Sequence, residues 1–232
     1  MSDNASKLQD VPQTRATLKT PKAAAIAGIV FSILFLVVFW LLRRAIPADP
    51  LEPGAWLARD TQSARYALNI IPFAGIAFLW FMGVLRDRLG QREDRFFATV
   101  FIGSGVLFLA MFFASAAMIG SVILVHDTTS APDMMNSTAF RVVRAMAYIV
   151  MNVYALKLAG VFMFTASTII MRTNIAPRWI AFLGYFLAVL LVLGSTYVGW
   201  SILVFPTWVF VLSGYILIVQ LRRPSIVSDA AR

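Results

Sequence analysis

The chain contains no cysteine, a single histidine (His126) and few charged residues, and each shortage excludes a class of protein. Without cysteine there are no disulfides, thiolate nucleophiles, iron–sulfur clusters or cysteine-type zinc sites. One histidine cannot provide bis-histidine haem ligation or a histidine-rich metal cage. Charged residues make up 13% of the chain, about half of the usual share in a soluble domain. We therefore exclude a soluble enzyme and a nucleic-acid-binding module, and we expect no metal and no cofactor.

Apolar residues make up 60% of the 232 residues, and they fall into long blocks. Each block has the roughly 20 residues that an α-helix needs to cross a hydrocarbon core of about 30 Å. The six predicted spans are 23–42, 66–85, 96–125, a stretch within 144–171, 179 to about 198, and 201–221. The sequence therefore predicts an all-α, six-helix transmembrane domain over 23–221. Residues 1–22 are predicted to form a disordered cytoplasmic tail. Residues 222–232 are predicted to form a short cytoplasmic tail.

Lysine and arginine are distributed unequally between the predicted loops, and this predicts the orientation. Placing both termini in the cytoplasm puts 13 of these residues inside and six outside. The outer six are Arg43, Arg44, Arg59, Arg65, Arg141 and Arg144. Subtracting the acids leaves +7 inside and +1 outside. We expect the protein in a bacterial plasma membrane, with anionic headgroups of the cytoplasmic leaflet as partners.

Lys157 is the one charged residue predicted inside a span. It follows Arg144 by 13 residues and precedes Arg172 by 15, about 20 and 22 Å along a helix. A lysine near the bilayer centre costs roughly 2.5–3.5 kcal/mol on the insertion scale. Because no acidic residue is predicted at this depth, three alternatives stay open: Lys157 snorkels, contacts carbonyls and hydroxyls such as that of Thr168, or binds an anionic ligand.

Basic residues at the outer ends of the spans form a second candidate site, which comprises Arg43, Arg44, Arg65, Arg141 and Arg144. With Asn69 and Asn152 predicted below them, they could line an outward-facing cavity for a lipid headgroup or a carboxylate. The alternative is that they pair with outer-leaflet phosphates or with the outer acids Asp49, Glu52, Asp60, Asp127 and Asp133. A helical wheel places Asn152 on the Arg144 face of the fourth span and Lys157 nearly opposite.

Two segments resemble a family of six-helix bacterial integral membrane proteins that is known as a domain of unknown function. In that family an apolar helix ends in arginine, a short loop carries Pro-Arg, and the next helix opens with a small residue. Here Arg172, Pro177, Arg178 and Gly184 fit that pattern, and PFAGIAFLW with RDRLG in 72–90 is similar to the same group. The resemblance implies the six-span fold and supplies no activity and no site residues.

The function that these observations favour is a non-enzymatic binding or accessory protein for a lipid or amphiphile. The alternative is a small permease or carrier for an anionic substrate that uses Lys157 and the outer arginines. A membrane enzyme acting on lipid is a third, weaker hypothesis. All eleven carboxylates fall in predicted tails or loops, which argues against a proton-coupled pump. Pairs of small residues four apart, such as Gly184 and Ala188, predict close helix packing, within the chain or in a homo-oligomer.

Overall fold

The computed structural model describes residues 20–52, 54–58, 61–87, 95–128, 137–173, 175–195 and 200–222. Within these ranges every regular element is helical. The α-helices are α1 Thr20–Ala45, α2 Gln62–Asp87, α3 Arg95–Thr128, α4 Thr138–Ile149, α5 Leu156–Thr173, α6 Arg178–Gly194 and α7 Val204–Arg222. Short 3₁₀ helices cover Gly54–Ala58 and Ser201–Leu203, and a π-helical segment, Val150–Ala155, joins α4 to α5. Apart from 20–22 and 222, the predicted tails lie outside the described residues.

Five of the six predicted spans are confirmed as helices long and apolar enough to cross a membrane. They are Ala25–Ala45, Gln62–Arg86, Phe96–Thr128, Thr138–Thr173 and Ser201–Arg222. The remaining predicted span corresponds to α6, an apolar helix of 17 residues. At 1.5 Å per residue α6 is about 26 Å long, slightly shorter than a typical hydrocarbon core. The predicted helical membrane bundle is therefore present, with one short member.

Local signals account for where the fourth span begins and where α6 begins. Ser137 is the N-cap of α4, and its hydroxyl accepts a hydrogen bond of 3.2 Å from the amide of Phe140. This cap satisfies one of the donors that a helix N-terminus leaves free, so the helix starts before Arg144. Pro177 has extended backbone angles immediately before α6, as expected of a proline that cannot continue the preceding helix.

The helices pack around a cluster of phenylalanine rings that come from five elements. The rings belong to Phe31, Phe78, Phe108, Phe162 and Phe205, all fully buried or nearly so. Phe78 of α2 lies 5.1 Å from Phe162 of α5 and 5.6 Å from Phe205 of α7, measured between ring centroids. These tilted and edge-on geometries are the favoured arrangements of aromatic pairs. We call this set the phenylalanine cluster.

Helix lengths leave room at one end of the bundle. The 26 residues of α1 rise about 39 Å, whereas α6 rises about 26 Å. Phe205, near the start of α7, contacts Phe31 in the middle of α1, and their ring centroids are 5.8 Å apart. The start of α7 therefore lies well below the end of α1. We call the end where α1 finishes the far end and the opposite one, which holds the start of α1, the termini end.

Candidate ligand cavity at the far end

A cavity of about 310 Å³ lies above the end of α6 and the short 3₁₀ helix that precedes α7. Pro47, Ala48 and Pro50, from the loop after α1, line its top, and Ser195 and Ile202 line its lower part. The walls come from α1, α3, α4 and the π-helical segment. Its polar lining residues are Arg43, Ser115, Arg144, Tyr148, Asn152 and Ser195. The volume lies at the lower end of the range for small-molecule sites.

Arg144 is the central residue of this cavity. Its side chain is buried, with 4% of the residue exposed. One guanidinium nitrogen, Nη2, donates hydrogen bonds of 3.2 Å to the backbone carbonyls of Pro47 and Asp49. The guanidinium carbon lies 5.4 Å from the centre of the Trp56 ring, within the range of a cation–π contact. Arg144 therefore ties the loop after α1 to α4.

The second terminal nitrogen of Arg144 lacks a partner. Nη1 is buried and makes no hydrogen bond to any part of the chain that the structure describes. Asp49 and Glu52 act on the guanidinium electrostatically, but no carboxylate of the described residues lies within ion-pair distance of it. Asp49 Oδ1 accepts a hydrogen bond of 2.8 Å from the amide of Leu51 in its own loop. A buried cation thus lines the cavity with one donor nitrogen unused.

A second unsatisfied polar group lines the same cavity. Ser195, just after α6, is 4% exposed, and its Oγ is buried without a hydrogen-bond partner among the described residues. Two other polar lining residues, Asn152 and Ser115, are hydrogen-bonded within the chain. Asn152 Nδ2 donates to the Tyr148 carbonyl at 3.0 Å, and Ser115 Oγ donates to the Ala147 carbonyl at 2.9 Å. Buried polar groups rarely lack partners in native proteins, so Arg144 and Ser195 distinguish this cavity as a candidate site.

The π-helical segment supplies Met151 and Asn152 to the cavity wall. A π-helical turn accommodates an additional residue within a helix, and such turns occur frequently at functional sites. Here the segment changes the phase between α4, which carries Arg144, and α5, which carries Lys157. The segment therefore helps to determine which side chains of the continuous helix from α4 to α5 line the cavity.

Below the cavity the lining becomes apolar. A smaller cavity of about 70 Å³ adjoins it, and the two share Phe39, Leu42, Ser115, Ile119, Met151 and Ile202. Its other lining residues are Phe35, Val38, Leu68, Ile71, Phe112 and Ala116. Ser115 is the one polar residue among them, and its hydroxyl is already bound to a carbonyl. We call this smaller cavity the apolar extension.

The structure brings together only part of the predicted outer basic set. Arg43 and Arg144 line the cavity with Asn152, as the hypothesis of an outward cavity requires. Arg65 instead forms an ion pair with Asp127, which is the predicted alternative. Arg141 is exposed and is not a lining residue.

The two other candidates at this end, Arg44 and Asn69, also lie away from the cavity. The Arg44 guanidinium lies 4.8 Å from the Trp40 ring centre. Asn69 is exposed on α2. Two of the predicted acidic partners, Asp60 and Asp133, lie outside the described residues.

Lys157 is exposed and lies outside the cavity. It shares its face of the helix with Tyr154, Val161 and Phe164, which are 55%, 36% and 47% exposed. No carboxylate lies within ion-pair distance of Lys157 in the described ranges. The Thr168 hydroxyl is already engaged, since it accepts a hydrogen bond of 2.9 Å from the Tyr185 hydroxyl. Lys157 therefore belongs to a stripe of exposed side chains on the outside of the bundle, and it does not share a site with Arg144.

Sequence reasoning missed several of the residues that build the cavity. Trp56 carries no sequence signal that links it to Arg144, although its ring covers the Arg144 guanidinium. The carbonyls of Pro47 and Asp49 are backbone atoms, which no side-chain pattern reveals. Ser195 falls within the predicted span from 179 to about 198, so the sequence does not mark it as a cavity residue.

Comparisons with protein-family models, curated proteins and solved structures found no match to this chain. The resemblance to six-helix bacterial proteins therefore has no matching family model behind it. Within the described ranges, no three His, Cys, Asp or Glu side chains come together as a metal site. The cavity and its two unsatisfied polar groups are thus the basis on which a function can be argued.

Proposed function

We propose that this protein is a non-enzymatic, multi-pass membrane protein that binds an amphiphile with an anionic headgroup in the far-end cavity. The observation that carries the proposal is that Arg144, a lining residue of the cavity, has a buried Nη1 without a hydrogen-bond partner in the described ranges. Leaving a buried donor unsatisfied costs about 1–3 kcal/mol, and more for a charged group. An anionic oxygen at this position would satisfy Nη1 and compensate the charge.

The charge of the lining supports an anion rather than a cation. Arg43 and Arg144 are both lining residues, and neither aspartate nor glutamate is among them. Hydrogen bonds between a guanidinium and an anionic oxygen are about twice as strong as neutral ones. Because the apolar extension adjoins the site, the ligand class that fits both regions is an amphiphile.

For the membrane arrangement we propose six crossings, with the short α6 as the sixth span and both termini in the cytoplasm. The surplus of lysine and arginine on that side supports this orientation. It places the far-end cavity at the outer face of a bacterial plasma membrane, and anionic lipid headgroups around the termini end. Partners are then membrane lipids and not nucleic acid, and a second copy of the chain is a further candidate partner.

The test compares Arg144→Gln with Arg141→Gln in protein purified in neutral detergent. Native mass spectrometry would measure binding of phosphatidylglycerol and decanoate, with neutral phosphatidylcholine as the reference lipid. We expect wild type to bind at least one anionic amphiphile with defined stoichiometry, and Arg144→Gln to lose it. Arg141→Gln should behave as wild type, because Arg141 lies on the same helix but is exposed and outside the cavity.

Anionic binding that is equal in wild type and Arg144→Gln would contradict the proposal, as would the absence of any preference over phosphatidylcholine. Arg144 also holds the loop after α1, so Arg144→Gln could act through folding. Ser195→Ala provides a second variant, since it removes a buried hydroxyl that has no partner to lose within the described residues. We expect it to weaken binding without lowering the melting temperature.

The alternative is a small permease for an anion that uses Lys157 together with the outer arginines. Such a carrier needs a path across the bundle, and the phenylalanine cluster fills the core below the cavity. Lys157 also faces away from the cavity. Binding is therefore the better-supported function. If proteoliposomes take up radiolabelled decanoate and Lys157→Met abolishes this uptake, transport becomes the better-supported function.

A further inference from the structure

We infer that the ligand is a single-chain amphiphile, with an anionic head on Arg144 and a tail of about ten carbons reaching the apolar extension. This inference rests on the proposed function and specifies its ligand class. Three properties of the site lead to it: the donors, the volume and the polarity of the lining.

The donors define the head as a small oxyanion. Arg144 Nη1 and Ser195 Oγ are the two buried lining groups that lack partners in the described ranges. Arg144 supplies a charged donor, which suits an anionic oxygen of a carboxylate or a phosphate monoester, and Ser195 adds a neutral donor lower on the cavity wall. Arg43 is an exposed lining residue, so it adds positive charge at the rim for a doubly charged head.

The volume suits a ligand with one chain. At about 30 Å³ for each water-sized group, a cavity of about 310 Å³ holds roughly ten such groups. The apolar extension, at about 70 Å³, holds roughly two more. A phospholipid with two acyl chains greatly exceeds this space, whereas an anion with one chain of about ten carbons fills it.

The polarity of the lining gives the ligand its direction. Arg144 and the loop carbonyls that it holds are at the top of the cavity. The apolar extension leads from it to Phe35 and Phe112 of the bundle core. An amphiphile that binds with its head at Arg144 places its tail in the apolar extension. The one polar lining residue there, Ser115, already donates its hydrogen bond to a carbonyl.

The experiment measures affinity as a function of chain length and head charge. Wild-type protein in phosphatidylcholine nanodiscs is dialysed to equilibrium against labelled hexanoate, octanoate, decanoate and tetradecanoate, with empty nanodiscs subtracted. Affinities are referred to the free aqueous ligand. We expect about a fourfold gain for each added methylene up to about ten carbons, and then a plateau. Decanol should bind at least tenfold more weakly than decanoate. A parallel arm with decyl phosphate shows which oxyanion the site prefers, and either preference supports the inference.

A matched pair of variants tests the position of the tail. Ala116 lines the apolar extension, whereas its neighbour Ala117 on α3 is exposed. Ala116→Leu should reduce the affinity for decanoate at least tenfold and leave that for hexanoate within twofold. Ala117→Leu should change neither value.

The outcomes separate this inference from the proposed function. Arg144-dependent binding with no dependence on chain length, or with preference for phosphatidylglycerol over decanoate, would overturn the inference and leave the proposed function standing. Equal binding of decanol and decanoate would overturn both. Absence of Arg144-dependent binding by any anionic probe would likewise remove the proposed function and the inference with it.

Discussion

Arg144 is a buried cation that forms no direct ion pair among the described residues, although the carboxylates of Asp49 and Glu52 act on it electrostatically. Two backbone carbonyls and the Trp56 ring surround the guanidinium. These contacts leave Nη1 unused. A charge buried in protein is tolerated only when it is well compensated, so the incomplete compensation of Arg144 is the residue-scale basis of the proposed site.

Arg144→Lys should weaken decanoate binding at least tenfold although it preserves the positive charge. The planar guanidinium places one nitrogen on the loop carbonyls while the other remains for the ligand, and an ammonium cannot reproduce this fork. Hydrogen–deuterium exchange should also show faster exchange of the Leu51 and Glu52 amides in the variant. Arg141→Lys is the control, and unchanged binding by Arg144→Lys would contradict a role for the fork.

Lys157→Met should leave decanoate binding unchanged. Lys157 is exposed on an apolar stripe and is not a lining residue of either cavity. Removing a lysine from hydrocarbon also removes an insertion cost of roughly 2.5–3.5 kcal/mol near the bilayer centre, so membrane insertion should not suffer. Equilibrium dialysis checks the first point, and a large loss of affinity would show that Lys157 belongs to the site.

At the scale of the elements, the cavity lies where α6 ends and α7 begins below the far end. Close contact between α5 and α6 holds this arrangement. A methyl group added at Gly160 of α5 would lie 2.8 Å from Val192 Cγ2 and 3.0 Å from the Ala188 carbonyl oxygen. Glycine at this position therefore permits the two helices to approach with their backbones nearly in contact.

Gly160→Ala should lower stability by about 1–3 kcal/mol, the usual cost of overpacking a core. The Ala188 carbonyl is backbone and cannot move aside as a flexible side chain can. Thermal unfolding in neutral detergent measures the effect. Gly103→Ala is the matched control, because an added methyl at Gly103 of α3 meets nothing within 4 Å and alanine favours helix by about 1 kcal/mol. Equal melting temperatures for the two variants would contradict this account of the packing between α5 and α6.

Over the whole molecule, hydropathy predicts the helices because each long apolar run needs a bilayer or a partner helix. The ends are harder to predict, since they depend on local groups such as the Ser137 cap. Arg144 and Asn152 were predictable as cavity residues because they share a face of one helix. Arg43 and Arg44 are adjacent in the sequence, and only the course of the following loop decides that Arg43 lines the cavity.

Other parts of the site leave no sequence signal. A π-helical turn shifts the phase of the helical wheel beyond 150, so a wheel with a constant angle loses accuracy before it reaches Lys157. The level at which α7 begins, relative to α1, follows from contacts such as that between the rings of Phe205 and Phe31. Both features arise from tertiary packing rather than from residue type.

The proposed orientation is testable by cysteine labelling, since the natural chain has no cysteine. Glu52→Cys at the far end should react with a membrane-impermeant maleimide in intact cells. Thr20→Cys, at the start of α1, should react only after the membrane is permeabilised. The reverse pattern would place the cavity on the cytoplasmic side and contradict the orientation inferred from the basic residues.

The most direct test of the central claim is a carbon–nitrogen dipolar measurement by solid-state NMR. Decanoate labelled with ¹³C at its carboxyl group would be added to ¹⁵N-arginine-labelled protein in phosphatidylcholine bilayers. We predict a carboxyl-to-guanidinium separation of about 4 Å or less, as charge-assisted hydrogen bonds require. This coupling should persist in Arg141→Gln and disappear in Arg144→Gln. A coupling that is absent from wild type, or that survives in Arg144→Gln, would contradict the claim that Arg144 binds the anionic head.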